Sequence, residues 1–281
     1  MVANEALRSV ARFYSAHPIN EEQILGALEK RGIPLHQVTE EHLQEHDQDH
    51  YGGLEAVDAL ARAAGIAAHH QVLDVCSGMG GPARYLAHRH GCRVTGIDLT
   101  ESRHAAAQRL TRLAKLEGRV RFELGDAQAM PFAAASFDVV IGQEAWVHVP
   151  DKARLIAECA RVVKPGGVIA FTDILRRVEL PPAVFQRLSD GMTFSMPETL
   201  AGYGALLARS GCAVQSLEDL SAEWTVILQK RLAMYRGLKD ETIRVHGAEH
   251  YRRYDDAYQF FVGLYAEGLL GGGRLVARKG A

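Results

Sequence analysis

The sequence predicts an α/β fold in which helices cover a mostly parallel sheet, and three observations lead to this prediction. Short apolar segments typical of buried strands alternate with longer helical segments. Several strands end in an acidic residue, and the first runs directly into a glycine-rich turn. The predicted strands span residues 72–75, 92–98, 120–124, 137–142, 168–173, 212–217 and 274–277, and the helices between them include 101–117 and 152–163.

A glycine-rich turn follows the first strand. Gly78, Gly80 and Gly81 precede Pro82, which occupies the first helical position, where its missing N–H would have no partner anyway. A strand, a glycine turn and a helix N-terminus bring backbone N–H groups close to a ligand, with the helix dipole behind them. We therefore expect this turn to hold a small cofactor.

The same segment indicates which cofactor. Gly78-x-Gly80-x-x-Ala83 with Asp98 about 20 residues later matches the dinucleotide fingerprint. Asp74 argues against NAD, because strands that bind dinucleotides are normally apolar there. An acid at this point can accept a hydrogen bond from an ammonium group, which S-adenosylmethionine has and NAD lacks.

Two further acids follow strands of the predicted sheet. Asp98 ends the second strand, where it could accept hydrogen bonds from both ribose hydroxyls. Asp126 follows Gly125 after the third strand, where it could accept one from an adenine amino group. The carboxyl ends of these strands are therefore the expected nucleoside site.

Ordered motifs run from Val72 to Asp173: the glycine turn, the acid ending strand two, Gly-Asp after strand three, Phe-Asp-Val-Val in strand four and Lys-Pro-Gly-Gly before strand five. In this order the segment resembles the class I S-adenosylmethionine-dependent methyltransferases. The resemblance implies a Rossmann-like, seven-stranded, mostly parallel sheet whose antiparallel last strand lies beside strand five. The segment 143–148 and the long helical C-terminal region are most similar to the sarcosine/dimethylglycine N-methyltransferases and related small-molecule enzymes.

The resemblance and the strand positions together predict the residues that bind S-adenosylmethionine: Asp74, Cys76, Ser77, Gly78, Gly80, Asp98, Leu99, Asp126, Ala127 and Gln143. One departs from the family pattern, since Cys76 stands where the first glycine of the turn is usual. A side chain disfavours a positive φ. We expect an altered turn there, with the thiol near the methionine part of the cofactor.

The chain divides into three predicted regions. Residues 1–68 form an N-terminal helical cap with helices at 4–14, 20–31 and 40–50, and residues 69–175 form the cofactor-binding core. Residues 176–281 complete the sheet and carry helical insertions, chiefly 223–268. In enzymes of this family, extra helices before the first strand and after strand five cover the acceptor site.

The candidate catalytic residues follow strands four and five. Methyl transfer is an in-line displacement, so the protein mainly aligns the acceptor, excludes water and handles one proton. His148 is the candidate base, because an ordinary imidazole titrates near neutral pH. Glu144 is a second candidate, and Asp173 is expected either to orient His148 or to bind the acceptor.

Five residues are predicted to contact the acceptor as lid or pocket side chains: Tyr14, Tyr51, Trp146, Met192 and Met196. His42, His46 and His50 recur every four residues, a spacing that can chelate a metal on one helix face. No further ligand set is evident and acids crowd the segment, so we predict a solvated face and no metal.

Composition sets limits on partners and location. The 281-residue chain has a formal net charge of −2, which gives no general attraction to nucleic acid. No signal peptide and no apolar run of membrane-spanning length are evident, so we expect a cytoplasmic protein without a membrane partner. The four cysteines lie in predicted core elements and are expected to be reduced.

The predicted function is methyl transfer from S-adenosylmethionine to a small molecule, with an amine nitrogen as the preferred acceptor. Oxygen, carbon or sulfur acceptors use the same scaffold and remain open. Two other classes stay as alternatives: a non-catalytic partner subunit that binds the cofactor, and a nicotinamide-dependent dehydrogenase. A homodimer is a further expectation, through the lid helices.

Overall fold

The computed structural model describes residues 9–10, 13–14, 19–48 and 50–281, apart from the side chain at position 246. Seven strands form one sheet in the order β3-β2-β1-β4-β5-β7-β6. Their bounds are β1 Gln71–Val75, β2 Arg93–Asp98, β3 Val120–Leu124, β4 Phe137–Gln143, β5 Val163–Arg176, β6 Cys212–Asp219 and β7 Leu270–Lys279.

Eleven helices with described bounds surround the sheet: α1 Glu21–Lys30, α2 Glu40–Leu43, α3 Gly53–Ala64, α4 Gly81–His90, α5 Glu101–Leu113, α6 Lys152–Val162, α7 Pro182–Met192, α8 Leu200–Arg209, α9 Ser221–Gly237, α10 Lys239–His246 and α11 Ala248–Ala266. Two short 3₁₀ helices span Leu35–Gln37 and Trp146–His148.

The sheet topology confirms the prediction. β1 pairs in parallel with both β2 and β4, so the strand order reverses between β1 and β4. β7 runs antiparallel between β5 and β6. A reversal of this kind opens a crevice at the carboxyl ends of the strands, where ligands of open α/β sheets bind.

Alternating side chains of β1 bury the two faces of the sheet. Leu73 belongs to a cluster with Leu155 of α6 and Leu207 of α8, whereas Val72 belongs to a cluster with Leu60 of α3. Because successive strand residues point to opposite faces, two helical layers cover the sheet. The carboxyl end of β1 is thereby fixed between them.

A buried cluster of charges joins the cap segment to the glycine turn. The Arg84 guanidinium donates to Asp47 Oδ2 at 2.6 Å and to the Met79 carbonyl at 2.7 Å. Glu40 lies 3.4 Å from Arg84 Nε. Burial raises the pKa of Glu40 from 4.5 to about 8. Arg84 therefore holds the turn after β1 against the segment that follows α2.

The three helices predicted in the cap have different outcomes in the structure. The predicted helix 4–14 lies largely outside the described residues, although positions 9–10 and 13–14 have helical backbone. The predicted helix 40–50 is wrong in length, because α2 ends at Leu43. The helix 20–31 is confirmed as α1, and the Asn20 side chain caps it by accepting from the Gln23 N–H at 3.0 Å.

The last strand is longer than predicted. Gly271, Gly272 and Gly273 belong to β7 rather than preceding it. A Cβ on Gly272 would lie 2.1 Å from the Trp224 ring, so glycine is needed where α9 crosses the strand. Within the described part of the chain, no helix has the length and apolarity to span a bilayer.

Candidate functional site

A cavity of about 890 Å³ opens at the carboxyl ends of β1, β2 and β4, where the strand order reverses. Most of the predicted site residues line it: Tyr14, Tyr51, Asp74, Cys76, Ser77, Gly78, Asp98, Leu99, Asp126, Ala127, Gln143, Glu144, His148 and Met192. Gly80, Trp146, Asp173 and Met196 are not among its lining residues.

Asp98 organises the turn at the centre of this cavity. One carboxylate oxygen accepts from the Gly78 N–H and the other from the Thr100 N–H, both at 2.8 Å. Burial raises the pKa of Asp98, and these two hydrogen bonds counteract that rise. Asp98 also lines the cavity, where the sequence predicts a ribose-binding acid.

Cys76 contradicts the expectation of an altered turn. Its φ is +64°, so the residue adopts the left-handed conformation usual for the glycine it replaces. The backbone N–H groups of Cys76 and Ser77 both donate to the Ile97 carbonyl, which holds the turn in this shape. Burial raises the pKa of the thiol, and the side chain lines the cavity.

Gly80 serves the turn rather than the cavity. Its φ is +76° and it caps α4 at its N-terminal end. A Cβ there would lie 2.3 Å from the Phe122 ring. The contact of Gly80 with the cofactor stays a prediction, and the structure shows that this glycine lets β3 approach the turn.

Several polar atoms beside the turn are buried without a hydrogen-bond partner among the described residues. They are Asp74 Oδ2, Ser77 Oγ and both amide atoms of Gln143. Burying such groups unpaired costs free energy, so their arrangement around a cavity indicates that a polar ligand pairs with them. A carboxylate, a hydroxyl and an amide fit the amino and carboxylate groups of an amino-acid moiety.

Asp74 is the most strongly perturbed of these groups. It is 3% exposed, and burial raises its pKa from 3.8 to about 7, with a smaller contribution from the nearby Asp98. A ligand ammonium beside Asp74 Oδ2 would compensate the buried charge. The site therefore fits a donor that carries an ammonium group and a ribose, as the sequence predicts for S-adenosylmethionine.

The adenine end of the predicted site lies after β3. Asp126 Oδ1 accepts from the Gln128 N–H at 2.8 Å, and Leu99, Ala127 and Gln128 complete that part of the lining. Apolar side chains on either side of a carboxylate suit a planar ring with an amino edge. Asp126 thus lies where the sequence predicts an adenine-binding acid.

His148 is fixed at both ring nitrogens. Nδ1 lies 3.2 Å from the Thr193 carbonyl oxygen, and Nε2 lies 2.9 Å from the Tyr14 hydroxyl. Because a carbonyl only accepts, the neutral ring carries its proton on Nδ1 and Nε2 accepts from Tyr14. The basic nitrogen of His148 therefore faces the cavity.

Thr193 reaches His148 through an unusual backbone conformation. At the C-terminal end of α7 its φ is +56°, which is rare for a β-branched residue. Glu144 also has a positive φ, of +51°. Strained residues of this kind concentrate at functional sites, where the surrounding structure enforces them.

Glu144 uses both carboxyl oxygens within the protein. Oε1 accepts from the Thr172 hydroxyl and Oε2 from the Tyr51 N–H, each at 2.6 Å. Burial raises its pKa from 4.5 to about 8. Glu144 lines the cavity, but its hydrogen bonds tie β5 and the Tyr51 segment to the site.

Asp173 lies behind the site, so of its two predicted roles the structure fits the positioning of His148 and not a contact with the acceptor. It is fully buried and accepts from the Val147 N–H at 3.0 Å and from the Tyr203 hydroxyl at 2.6 Å. The Lys152 ammonium donates to the Val147 carbonyl at 3.2 Å. These bonds hold the 3₁₀ helix that carries His148, so Asp173 can orient His148 only through the backbone.

Trp146 and Met196 were expected in the acceptor pocket, and the structure places both elsewhere. Trp146 is fully buried, donates to the Val75 carbonyl at 3.2 Å and stacks on Phe171 at 4.1 Å. Gly142 leaves room for the indole, since a Cβ there would lie 2.2 Å from Trp146 Nε1. Met196 points to solvent with 39% of its surface exposed.

Two arginines of the site were missed by the sequence analysis. Arg103 is 5% exposed and lies 5.2 Å from the Tyr14 ring centre, and in the described part of the chain its Nε and Nη2 have no hydrogen-bond partner. The sequence held a signal for Arg103, because a cation in the first turn of a helix interacts unfavourably with the helix dipole. Arg231 donates to the His50 carbonyl at 2.6 Å and lies over Tyr51, a contact that no local pattern predicts.

The three histidines do not form the solvated helix face that their spacing predicted. His50 is 6% exposed, and its Nε2 lies 2.8 Å from the Gln48 side-chain oxygen. His46 lines the cavity. The helix ends before either residue, so the face does not exist. Among the described residues, no cluster of three or more potential ligands could hold a metal.

Comparison with known proteins gives a consistent result. Residues 73–171 match the family model described as a methyltransferase domain. The chain is 31% identical over 192 residues to 27-O-demethylrifamycin SV methyltransferase of Amycolatopsis mediterranei (strain S699), covering 66% of this chain and 70% of that protein. It is 29% identical over 166 residues to a sarcosine/dimethylglycine N-methyltransferase of Halorhodospira halochloris, covering 59% of each, so this match spans less than two thirds of that relative.

The fold also matches solved structures. Phosphoethanolamine N-methyltransferase 2 of Haemonchus contortus, solved in complex with S-adenosyl-L-methionine, superposes with a TM-score of 0.72 and 22% identity. The match covers 82% of this chain and 53% of that one. At this identity the likeness concerns the fold, and it agrees with the strand order β3-β2-β1-β4-β5-β7-β6.

Proposed function

Since the chain belongs to the class I S-adenosylmethionine-dependent methyltransferases, we propose that it methylates a proton-bearing heteroatom of a small molecule, with His148 as the proton acceptor. The observation that carries the proposal is the orientation of the imidazole. Nδ1 is held by the Thr193 carbonyl, and Nε2 faces the cavity beside the Tyr14 hydroxyl. A general base must lie within hydrogen-bond reach of the acceptor proton, and Nε2 gains that reach when the Tyr14 hydroxyl turns away.

The part of the cavity that would bind the methyl donor is inferred from buried polar atoms that have no hydrogen-bond partner among the described residues. S-adenosylmethionine, when bound, supplies a methyl group activated by its sulfonium. Asp74 and Gln143 would hold the amino-acid part, Asp98 the ribose and Asp126 the adenine. Cys76, His148 and Glu144 line the same cavity as these groups, so the activated methyl group would be used in a chamber that also holds the candidate base.

The proton is handled at one atom. As the acceptor heteroatom attacks, its proton passes to His148 Nε2, and the ring then carries a proton on each nitrogen. The Thr193 carbonyl accepts from Nδ1–H, which leaves Nε2 as the atom that takes up the proton. The Tyr14 hydroxyl must turn from Nε2 to make room, and its oxygen can then face the acceptor.

Glu144 and Asp173 act as positioning residues in this proposal. Glu144 holds the Tyr51 N–H and the Thr172 hydroxyl, which fixes one wall of the acceptor chamber. Asp173 holds the backbone of the His148 segment from behind. Neither carboxylate is needed as the base, because both already accept hydrogen bonds on each oxygen or are shielded from the cavity.

An amine nitrogen is the acceptor atom that the sequence analysis favours, and the sarcosine/dimethylglycine relative supports it. A hydroxyl oxygen is the second candidate. The fixed imidazole favours it, because a hydroxyl retains its proton until the methyl transfer, whereas an amine can lose its proton to water beforehand. The 27-O-demethylrifamycin SV methyltransferase relative points the same way.

A panel of amines and alcohols with methyl-labelled S-adenosylmethionine tests the proposal. The pH profile separates the two acceptors, because amine turnover follows the fraction of free amine, whereas hydroxyl turnover follows the His148 base alone. Transfer to neither class, with S-adenosylhomocysteine still bound, would contradict the proposed activity and favour a non-catalytic subunit.

A further inference from the structure

The cavity continues well beyond the donor groups and the His148 ring. Its outer part lies between α1 of the cap and the helices α9 and α10 of the C-terminal region. Gln23, Ala27 and Lys30 line it from α1, and Met234 and Leu238 line it from the opposite side. A donor bound at Asp98 and Asp74 leaves this outer part for the acceptor.

Three large apolar side chains at this outer end are unusually exposed. Met234 has 63% of its surface exposed, Leu238 49% and Val245 58%, and all three line the cavity. Scattered exposed apolar residues are ordinary, but three that converge on one opening indicate a ligand surface. An apolar molecule that covered them would remove this surface from water.

The charges at the opening balance each other. Lys30 Nζ lies 4.0 Å from Glu241 across the gap between α1 and α10. Deeper in, Arg231 donates to the His50 carbonyl and its guanidinium lies 5.0 Å from the Tyr51 ring centre. The pairing of Lys30 with Glu241 leaves the opening without net charge. An acceptor whose outer body is uncharged fits this opening.

The α1 wall leaves room for such a molecule. A Cβ added to Gly26 would meet no atom of the described residues within 4 Å, and Gly26 lines the cavity. Aromatic rings of Tyr254 and Tyr258 line the inner end of the same chamber. Small residues on one wall and aromatic rings at the end suit a bulky apolar body better than a compact amino acid.

We propose that the acceptor is a bulky, mostly apolar molecule whose amine or hydroxyl reaches His148 while its body lies between α1 and the α9–α10 segment. This inference rests on the proposed function, because it specifies the substrate class of the same site. It departs from the small amino-acid acceptors of the sarcosine type.

The first test measures binding of N-methylalkylamines of increasing chain length to the enzyme saturated with S-adenosylhomocysteine. Each methylene that enters an apolar chamber strengthens binding by about 0.8 kcal/mol, or roughly fourfold in Kd. We expect affinity to rise with chain length and to exceed that of sarcosine. An affinity independent of chain length, or tighter binding of sarcosine, would overturn the inference.

Two variants locate the binding surface, with the neutral fluorescent dye N-phenyl-1-naphthylamine as the probe. Ala27→Trp fills the gap from the α1 side, and Met234→Gln removes an exposed apolar contact from the α9 side. Each should weaken dye binding at least tenfold while the S-adenosylhomocysteine affinity is unchanged. The matched controls are Glu29→Trp on α1 and Val226→Gln on α9, because both residues are exposed and neither lines the cavity.

The outcomes separate the inference from the proposed function. Dye binding that is unchanged in both Ala27→Trp and Met234→Gln would overturn the apolar chamber even if methyl transfer occurs. Loss of S-adenosylhomocysteine binding in the wild-type protein would instead contradict the donor site. Equal losses of dye binding in the control and test variants would also overturn the assignment, because the loss would then not depend on whether the changed residue lines the cavity.

Discussion

The Tyr14 hydroxyl lies 2.9 Å from His148 Nε2, although 134 residues separate the two in the chain. The contact joins the cap to the 3₁₀ helix after β4, so the acceptor chamber is closed by a hydrogen bond to the candidate base itself. The ring centres lie 5.3 Å apart in an edge arrangement, so the two rings also pack against each other.

Tyr14→Phe removes the hydroxyl and keeps the ring. In the proposed mechanism the Tyr14 oxygen turns from Nε2 to the acceptor, where a neutral hydrogen bond contributes about 0.5–1.5 kcal/mol, so we expect its loss to lower kcat roughly two- to tenfold. Steady-state kinetics with the best acceptor of the panel measure this change, and calorimetry should find the S-adenosylhomocysteine affinity unaltered. A loss as large as that of His148→Ala would identify Tyr14 as the base instead.

Donor affinity should depend on pH through Asp74. The ligand ammonium binds the ionised carboxylate, and burial raises the pKa of that group to about 7. Affinity for S-adenosylhomocysteine should therefore increase as pH rises through about 7, by up to tenfold per pH unit below it. Calorimetric titrations across this range measure the slope.

Asp74→Asn is the variant that tests the source of this slope. It should bind S-adenosylhomocysteine more weakly and with little dependence on pH in the same range. The stability of the ligand-free protein should change with pH in the opposite direction to the donor affinity. The raised pKa of Asp74 contributes stability at low pH that is lost as pH rises through about 7. An unchanged slope in Asp74→Asn would assign the titration to another group.

Asp98→Ala should weaken donor binding at least a hundredfold. The substitution removes the ribose acceptor and leaves the Gly78 and Thr100 N–H groups without their partner. Each unpaired buried donor costs about 1–3 kcal/mol. Glu123→Ala on the exposed face of β3 is the matched control, and wild-type affinity in Asp98→Ala would show that the ribose site is misassigned.

Cys76→Gly should stabilise the protein relative to Cys76→Ala. Both variants lose the thiol, but only glycine relieves the φ of +64°. The left-handed conformation costs a non-glycine residue about 1–2 kcal/mol, partly offset by the greater entropy of unfolded glycine. Chemical denaturation of the two variants measures a difference of about 1 kcal/mol, and a more stable alanine variant would contradict this explanation.

The strands and the acids at their ends could be predicted because local signals encode them, whereas the place of the antiparallel last strand beside strand five came from the family resemblance. Asp74 lies within an apolar strand, Asp98 ends one and Asp126 follows one. The glycine turn marks the place where the chain passes from the first strand into a helix. Such patterns depend on residues close together in sequence. The family match confirms the donor that these patterns predict, S-adenosylmethionine.

The acceptor side could not be predicted as well, because its contacts join distant segments. Trp146 has the sequence position of a pocket residue, but Gly142 and Phe171 provide a buried space that takes its ring. Arg231 reaches the site from α9 through the His50 carbonyl, 181 residues away. The packing of the cap and C-terminal helices, rather than any local pattern, decides which side chains face the acceptor.

The measurement that tests the central claim most directly compares wild type and His148→Ala in transfer of labelled methyl from S-adenosylmethionine to the acceptor of the panel. If His148 is the base, the variant should lose about 10²- to 10⁴-fold in kcat, while its affinity for S-adenosylhomocysteine stays at the wild-type value. Transfer by His148→Ala at the wild-type rate would contradict the account.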